Sequence, residues 1–346
     1  MIRKIQSLGK YLDQPLLVGK FQKAVPAVFT VGAGLHTLHE VKHAPEGQKK
    51  STAIKTASVW KATIASALIA PRISAKIVGK EYEKFIVKDI QKRNTKLVDE
   101  FVKKQNLTEK TKEILEKSKT KFLKYKEIRV INDELKQTKS GKEFFNKLIP
   151  EPENITSKDI KNEIGRLSIM GFIPVAGGVT GGIIGDKLAD KKVSKEKMAD
   201  RIKEGSYQYL ANIFLCNVGA GLALAGMEKM NVKSKSARAI GMIGGIVATG
   251  IIGGSAIANY IGRKVINPIF DGKNKECKKE EPKFERKPEI LDVCLHTDDI
   301  ATVAVMSGLK WIEPALPILY GISGYRAGIG YRNNKEPQCK KCDKLA

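Results

Sequence analysis

Three long stretches of this chain carry no charged residue, and they dominate its pattern of hydrophobic and polar positions. They are 167–185, with 19 residues, 205–227, with 23, and 239–262, with 24. Charged residues follow directly at both ends of each stretch. Because a helix needs about 20 mostly apolar residues to cross the hydrocarbon layer of a bilayer, the pattern predicts three membrane-spanning helices.

Glycine recurs at helical spacing in two of these stretches. The positions are Gly177, Gly178, Gly181, Gly182 and Gly185 in the first, and Gly241, Gly245, Gly250 and Gly254 in the third. Small residues one turn apart let helices approach closely in lipid, whereas each glycine costs about 1 kcal/mol relative to alanine in a soluble helix. The spacing therefore favours membrane helices over a soluble α-helical protein with buried glycine-rich helices. It also predicts glycine-rich faces through which copies of the chain could associate.

The chain repeats part of its own sequence. VGAGL at 31–35 returns at 218–222, and PVAGGVTGGIIG at 174–185 matches PILYGISGYRAG at 317–328. These ordered matches predict an internal duplication with three helices in each half: A, B and C, then A′, B′ and C′. The segments are A (24–42), B (52–79), C (167–187), A′ (206–229), B′ (237–264) and C′ (311–328).

The predicted fold is therefore an all-α, polytopic membrane protein with about six membrane helices. The first half occupies 24–80 and 167–187, and the second half occupies 206–264 and 311–330. An odd number of spans per half would invert the second half relative to the first, as in many transporters. The remaining regions are a basic amphipathic N-terminus (1–23), a charged insert (81–166), a second insert (265–310) and a basic tail (331–346).

Apolar pairs at helical spacing in the first insert predict a helical hairpin outside the bilayer. Thr108 is a candidate N-cap there, and Thr156 with Asp159 resembles a capping box before segment C. The second insert is expected to be mostly loop, apart from the apolar stretch 300–309.

The chain is strongly basic, with 62 Lys and Arg against 37 Asp and Glu and a net charge of +25. Much of the excess lies beside apolar stretches, where it suits anionic lipid headgroups. Nucleic acid is the other usual partner of so basic a chain, but no basic motif here is interleaved with aromatic residues. We therefore expect a bilayer with anionic headgroups as the partner and a multi-pass location, in the cytoplasmic membrane if the chain is bacterial.

His39, Glu40 and His43 form an H-E-x-x-H motif near the end of segment A. On a helix this motif places two imidazoles one turn apart to bind zinc, and its glutamate activates the metal-bound water. With Asn267-Pro-Ile-Phe-Asp-Gly272, the motif resembles the site-2 intramembrane proteases. That resemblance implies a zinc cofactor with Asp271 as its third ligand. The alternative, favoured by Lys42 within the motif and Pro45 after it, is a helix end whose histidines lie among lipid headgroups.

Cysteines supply a second candidate metal site. Cys339 and Cys342 form a C-x-x-C near the end of the sequence, and Cys277 and Cys294 lie in the second insert. They would either form a four-cysteine zinc site or remain reduced thiols. Cys216, inside segment A′, is expected to be a packing residue.

The expected function is non-enzymatic, either transport or permeation, or a membrane scaffold, with the zinc-dependent intramembrane protease as the alternative. Lys61, Lys310 and Glu313 lie in or beside weak spans and are candidates for lining a polar path. A polar interior between the halves would favour transport, and a dry glycine-packed interface would favour a scaffold.

Overall fold

The computed structural model describes residues 11–150, 157–191, 193–232, 235–270, 297–306 and 310–330. All regular secondary structure in these ranges is helical, which confirms the prediction of an all-α protein. The helices of the first half and its insert are α1 (Pro15–His43), α2 (Lys49–Ile77), α3 (Val87–Val102), α4 (Glu109–Ser118), α5 (Tyr125–Leu135), α6 (Lys139–Leu148) and α7 (Ser157–Asp190).

The second half contains longer, interrupted helices. Its elements are α8 (Lys195–Tyr209), a π-helical turn (Leu210–Phe214), α9 (Leu215–Lys229), α10 (Lys235–Ile246), a π-helical segment (Val247–Gly254), α11 (Ser255–Ile261), a second π-helical turn (Gly262–Ile266), α12 (Asn267–Phe270), α13 (Thr297–Met306), a 3₁₀ turn (Glu313–Ala315) and α14 (Leu316–Ile329). Segments A and C lie within α1 and α7, and B begins within α2 and extends two residues beyond its end. A′ lies within α8–α9, B′ runs from α10 into the π-helical turn after α11, and C′ extends from the residues before the 3₁₀ turn into α14.

Helix α14 is the centre of the bundle. The structure describes every residue of α14, and none of them is exposed. It packs against α7, α2 and α8, and the ring of Phe29 on α1 meets it at Gly321. An apolar helix that is covered on every side is typical of the core of a larger bundle.

Two rows of glycine on α7 allow this packing. Gly177, Gly181 and Gly185 face α2 at Ala62, Ser66 and Lys55, and Gly178 and Gly182 face α14 at Gly324 and Gly328. A Cβ atom built at Gly178 would overlap with the backbone of Gly324. These glycines therefore serve contacts within the chain, so their faces are not available to a second copy.

The contacts also give the helix directions. Gly178 and Gly182 of α7 meet Gly324 and Gly328 of α14 in the same order, so the two helices run parallel. The prediction of a fully inverted second half is therefore wrong for C and C′, although A and A′, like B and B′, run in opposite directions. Helix α13, in a region expected to be mostly loop, is an additional element between B′ and C′ that the three-span scheme did not include.

The charged insert is a four-helix unit, α3–α6, rather than the predicted hairpin. Its apolar side chains form a separate core of Val98, Phe101, Ile114, Leu115, Leu123, Ile128, Ile131, Leu135, Phe144, Phe145, Leu148 and Ile149. The Thr108 side chain accepts from the backbone N–H of Thr111, which confirms the predicted N-cap. Thr156, the other predicted cap, lies outside the described residues.

The exterior of the bundle differs from that of the insert. No exposed large hydrophobic side chain lies within α3–α6, whereas α1, α2, α7, α9, α10 and α11 all carry them. On α1 they are Phe21, Val28, Val31, Leu35 and Leu38. Within the described part of the chain, two helical stretches, Asp159–Asp190 and Lys197–Lys229, are long and apolar enough to cross a membrane.

Asp13 connects the start of α1 to the segment before α14. Its Oδ1 accepts from the backbone N–H of Trp311 at 2.9 Å, and its Oδ2 is buried without a hydrogen bond. Burial raises the pKa of Asp13 to about 6, although the N–H groups of Trp311 and Lys310 and the charge of Lys310 oppose the shift.

We expect Gly178→Ala to destabilise the protein by about 1–3 kcal/mol, because the new methyl group must displace the α14 backbone. Gly32→Ala on α1 is the matched control, since no atom lies within 4 Å of a Cβ there. The control should be neutral or stabilising by up to about 1 kcal/mol. Unfolding of the purified full chain measures both, and equal stability of the two variants would contradict the packing described here.

We expect Asp13→Asn to remove a pH dependence of stability. The native pKa of Asp13 lies above its ordinary value, so the native state holds the proton more tightly and stability falls as pH rises from about 4 to about 6. Asparagine keeps the acceptor for Trp311 but has no proton to lose. The variant should match the wild type near pH 4 and exceed it at neutral pH, by at most about 3 kcal/mol. Melting temperatures of the variant and the wild type at the two pH values test this. If the variant exceeds the wild type by the same amount at both pH values, the prediction is wrong.

Candidate functional site: a buried polar row

The H-E-x-x-H motif lies at the exposed end of α1. His39 and His43 are both exposed, and Nδ1 of His43 lies 2.8 Å from the backbone oxygen of His39. Glu40 Oε1 lies 3.9 Å from Nε2 of His36, the histidine outside the motif. Among the described residues, no group of three or more His, Cys, Asp and Glu side chains is placed to hold a metal ion.

The other predicted ligands lie outside the described residues. They are Asp271, Cys277, Cys294, Cys339 and Cys342. The zinc sites therefore stay predictions. Cys216 is buried, and its Sγ donates to the backbone oxygen of Ala211 at 3.2 Å, in agreement with its expected packing role.

A row of buried polar side chains follows one face of α8 and α9. Arg201, Glu204, Gln208, Asn212 and Asn217 are each at most 7% exposed. Their spacing of three to five residues keeps them on one side of a helix. The π-helical turn Leu210–Phe214 lies within the row, and such turns are frequent at functional sites.

The first end of the row is an ion-pair cluster on Arg201. Its guanidinium donates to the buried Asp186 on α7 and, through Nε, to the backbone oxygen of Gly328 on α14 at 2.7 Å. A side chain at Gly182 would overlap with this guanidinium, so the glycine leaves room for it. Lys55 of α2 adds a cation 3.9 Å from Asp186. Four helices thus meet at one pair of buried charges.

Hydrogen bonds link the next three members of the row. Glu204 Oε1 accepts from Nε2 of Gln208 at 2.7 Å, and Gln208 Oε1 accepts from Nδ2 of Asn212 at 3.0 Å. Glu204 Oε1 also lies 3.9 Å from Nε of Arg326 on α14. The carboxylate therefore orients both amides, so that each one donates towards Glu204.

Beyond the π-helical turn, the row connects α9 to two other helices. Asn217 Nδ2 donates to Ser168 Oγ on α7 at 3.4 Å, and its Oδ1 accepts from Thr302 Oγ1 on α13 at 3.2 Å. All three side chains are buried. This is a cluster of neutral oxygen and nitrogen atoms in the interior of the bundle.

A second ion-pair cluster closes the other end. Arg166 on α7 donates to Glu163 and, through Nη1, to Glu313 before α14 at 2.6 Å. Lys80 Nζ lies 3.5 Å from Glu163. Arg166 and Asp186 are 20 residues apart on α7, which corresponds to about 30 Å along a helix. The hydrocarbon layer of a bilayer has about the same thickness.

This row was not among the features predicted from the sequence. Residues 205–227 look uniformly apolar because amides are uncharged, and segment A′ was expected to begin only after Arg201 and Glu204. The signal was present, since Gln208, Asn212 and Asn217 recur at helical spacing within an otherwise apolar stretch. Of the three residues suggested for a polar path, Glu313 belongs to the second ion-pair cluster, Lys310 pairs with Glu83, and Lys61 is exposed on α2.

Comparison of the chain with protein families, with curated proteins and with solved structures finds no match.

We expect Asp186 and Arg201 to be strongly coupled. Asp186→Ala or Arg201→Met alone should destabilise the chain by about 3–5 kcal/mol, because each leaves an uncompensated buried charge. The double variant should lose much less stability than the sum of the losses in the two single variants. The exposed pair Glu46 and Lys49, 3.9 Å apart, is the matched control, and its cycle should give at most about 1 kcal/mol. Additive effects at Asp186 and Arg201, measured by unfolding, would show that the buried pair is not coupled.

Proposed function

We propose that this chain is a multi-pass membrane protein that passes a small monovalent cation, the proton included, along the buried polar row. The observation that carries the proposal is the set of buried polar side chains that lie between the Asp186 cluster and the Arg166 cluster, inside a bundle whose outside carries exposed apolar side chains. Ionisable and polar groups in the interior of a membrane bundle commonly mark ion pathways.

The exterior supports the membrane location. In a water-soluble protein, large apolar side chains exposed over so many helices would form a patch far larger than monomers normally tolerate. Helices α3–α6, in the same chain, carry no exposed large hydrophobic side chain. Lys61 is exposed among the apolar groups of α2, and its long aliphatic stem would let the ammonium group reach the headgroups.

The chemistry of the row favours a cation. The row and its neighbours present carboxylate, amide and hydroxyl oxygens, which are ligands for hard cations. These oxygens belong to Glu204, Gln208, Asn212, Asn217, Ser168 and Thr302. Arg201 of the row is engaged by Asp186 and by the backbone oxygen of Gly328, and Arg326, beside the row, lies 3.9 Å from the carboxylate of Glu204. Each guanidinium thus already has an anionic carboxylate near it.

The scaffold alternative is supported by a different surface. The interface of α7 with α14 is packed glycine against glycine, as the scaffold hypothesis predicted, but the polar row lies beside it on α8 and α9. We favour passage because a scaffold has no need of buried charges, which are costly to keep in hydrocarbon. In this proposal, the ion pairs at both ends of the row keep the path closed.

The test is cation flux in liposomes that contain the purified full chain. Vesicles with the wild type should dissipate a gradient of H⁺, Na⁺ or K⁺, reported by an internal dye, faster than empty vesicles. Asn212→Leu should slow that flux about tenfold or more, since it removes a hydrogen-bonding group for a charged species, worth about 1.5–3 kcal/mol.

Leu222→Ala is the matched control. Leu222 lies on α9 and is exposed on the apolar exterior, so its truncation should leave the flux unchanged. Wild-type vesicles that are as tight as empty ones to all three cations would exclude passage and leave the scaffold. An equal loss of flux in Asn212→Leu and Leu222→Ala would exclude the polar row as the path.

A further inference from the structure

We propose that the insert and the start of α1 together form a binding site for anionic phospholipid headgroups. The site is a group of five lysines, Lys20, Lys23, Lys84, Lys88 and Lys121, which we call the basic collar. The inference rests on the membrane location proposed above, but it concerns a different surface and a different ligand from those of the polar row.

The insert is held firmly against the start of α1. Gln14 Oε1 accepts from the backbone N–H of Leu123 at 2.7 Å, and its Nε2 donates to the Leu123 oxygen at 2.8 Å. Gln22 Oε1 accepts from the backbone N–H of Phe85 at 2.9 Å. A Cβ atom at Gly19 would lie 2.8 Å from the Phe85 oxygen, so the two backbones are in close contact. These contacts give the insert a defined position at this end of the bundle.

The same contacts place the segments that carry the five lysines on the two sides of the junction between α1 and the insert. Lys20 lies over the ring of Phe122, at 5.2 Å from its centroid, and Lys121 precedes Phe122 in the chain. Lys84 precedes Phe85, which contacts Gly19 and Gln22, and Lys88 lies in the first turn of α3. Lys23 follows Lys20 by one turn of α1.

All five lysines are exposed and have no ion-pair partner among the described residues. Other lysines of the insert are neutralised locally, as Lys119 is by Asp99 and Glu116. Unpaired ammonium groups in close proximity repel one another, and an anionic partner would relieve that repulsion. Glu81 and Asp89 are exposed carboxylates in the same segment as Lys84 and Lys88, but five lysines against these two leave the collar with a net positive charge.

The collar also lies at the edge of the apolar exterior. Phe21, between Lys20 and Lys23, is the first of the exposed large hydrophobic side chains of α1. Half-buried aromatic residues occur at the same level: Tyr82, Phe85 and Phe122. Lysine and aromatic side chains at the boundary between an apolar and a polar surface are typical of the headgroup region.

This position favours a lipid over a nucleic acid. A phosphate of a phospholipid next to Phe21 would meet the collar lysines while its acyl chains cover the apolar face of α1. A nucleic acid would contact the lysines but leave that face uncovered. The observations therefore point to anionic phospholipid, and nucleic acid becomes an outcome of the test.

The insert offers a matched control on its opposite end. Lys103, Lys104, Lys110 and Lys136 are also exposed, but they lie at the end of α3, the start of α4 and the end of α5. The hydrogen bond from Thr108 to Glu134 places these ends together. The α3 helix of 16 residues separates them from the collar by about 22 Å.

The experiment compares two variants of the purified full chain. The collar variant carries Lys20→Gln, Lys84→Gln, Lys88→Gln and Lys121→Gln, and the control carries Lys103→Gln, Lys104→Gln, Lys110→Gln and Lys136→Gln. Both lose the same charge. Melting temperature in detergent, followed by tryptophan fluorescence, is measured against added phosphatidylglycerol, phosphatidylcholine, inorganic phosphate or a single-stranded RNA.

Phosphatidylglycerol should raise the melting temperature of the wild type and the control more than phosphatidylcholine does. The collar variant should need at least about tenfold more phosphatidylglycerol for the same shift in melting temperature. The reason is that each lysine near an anionic headgroup contributes to the free energy of lipid binding. Equal responses of the two variants would overturn the inference, since they would indicate non-specific attraction. The inference would also be overturned if inorganic phosphate or RNA shifted the melting temperature of the wild type as much as phosphatidylglycerol does.

A membrane wash separates this inference from the proposed function. If alkaline carbonate releases the expressed wild-type chain from membranes, the membrane location itself is wrong. If the chain resists the wash, and the collar variant responds to phosphatidylglycerol as the control does, only the lipid site is wrong. In a chain that resists the wash, cation flux through the collar variant should equal that of the wild type, whether or not the lipid site is correct.

Discussion

The backbone contact between α7 and α14 determines how the rest of the bundle is arranged. Gly178 and Gly182 meet Gly324 and Gly328 so closely that no side chain fits between the helices. At that separation α14 is covered by its neighbours on every side, and the charge it carries at Arg326 is buried with it. A buried guanidinium needs a partner inside the protein, and Glu204 of α8 lies beside it. The close packing of α14 on α7 thus requires a polar partner for Arg326 at the interface of α14 with α8.

The same glycines also shape the first ion-pair cluster. The guanidinium of Arg201 crosses α7 in the space left at Gly182, which brings it to Asp186 and to the backbone oxygen of Gly328. Any residue with a side chain at position 182 would close that space. The glycine rows therefore do more than shorten the distance between helices, because one of them also fixes the position of a charge. The small residues and the buried charges form a single structural unit.

The sequence predicted those features that depend on local composition. The charge-free lengths located the helices, and Thr108 was recognised as a cap because its role depends on neighbours within three residues. Features that depend on contacts distant in sequence were not predictable in this way. The parallel direction of α7 and α14 is visible only in the contacts of Gly178 with Gly324 and of Gly182 with Gly328. The row from Arg201 to Asn217 was missed because an amide adds no charge, although an amide that is buried without a hydrogen bond also costs free energy. The third ligand proposed for the histidine motif, Asp271, lies outside the described residues, so its geometry is untested.

Two independent lengths in the structure agree with each other. On the outside of α1, the exposed large hydrophobic side chains extend from Phe21 to Leu38, 17 residues apart, or about 26 Å of helix. Inside the bundle, the ion-pair clusters on α7 are separated by about 30 Å. The first length reflects contact with the surroundings, and the second reflects where buried charges are paired, so neither determines the other. Under the proposed membrane location, a hydrocarbon layer of about 30 Å would account for both lengths, because it would set where apolar side chains can face outward and where charges must find partners. Phe21 would then lie at one edge of that layer, and the insert, held at Gln14 and Gln22, just beyond it.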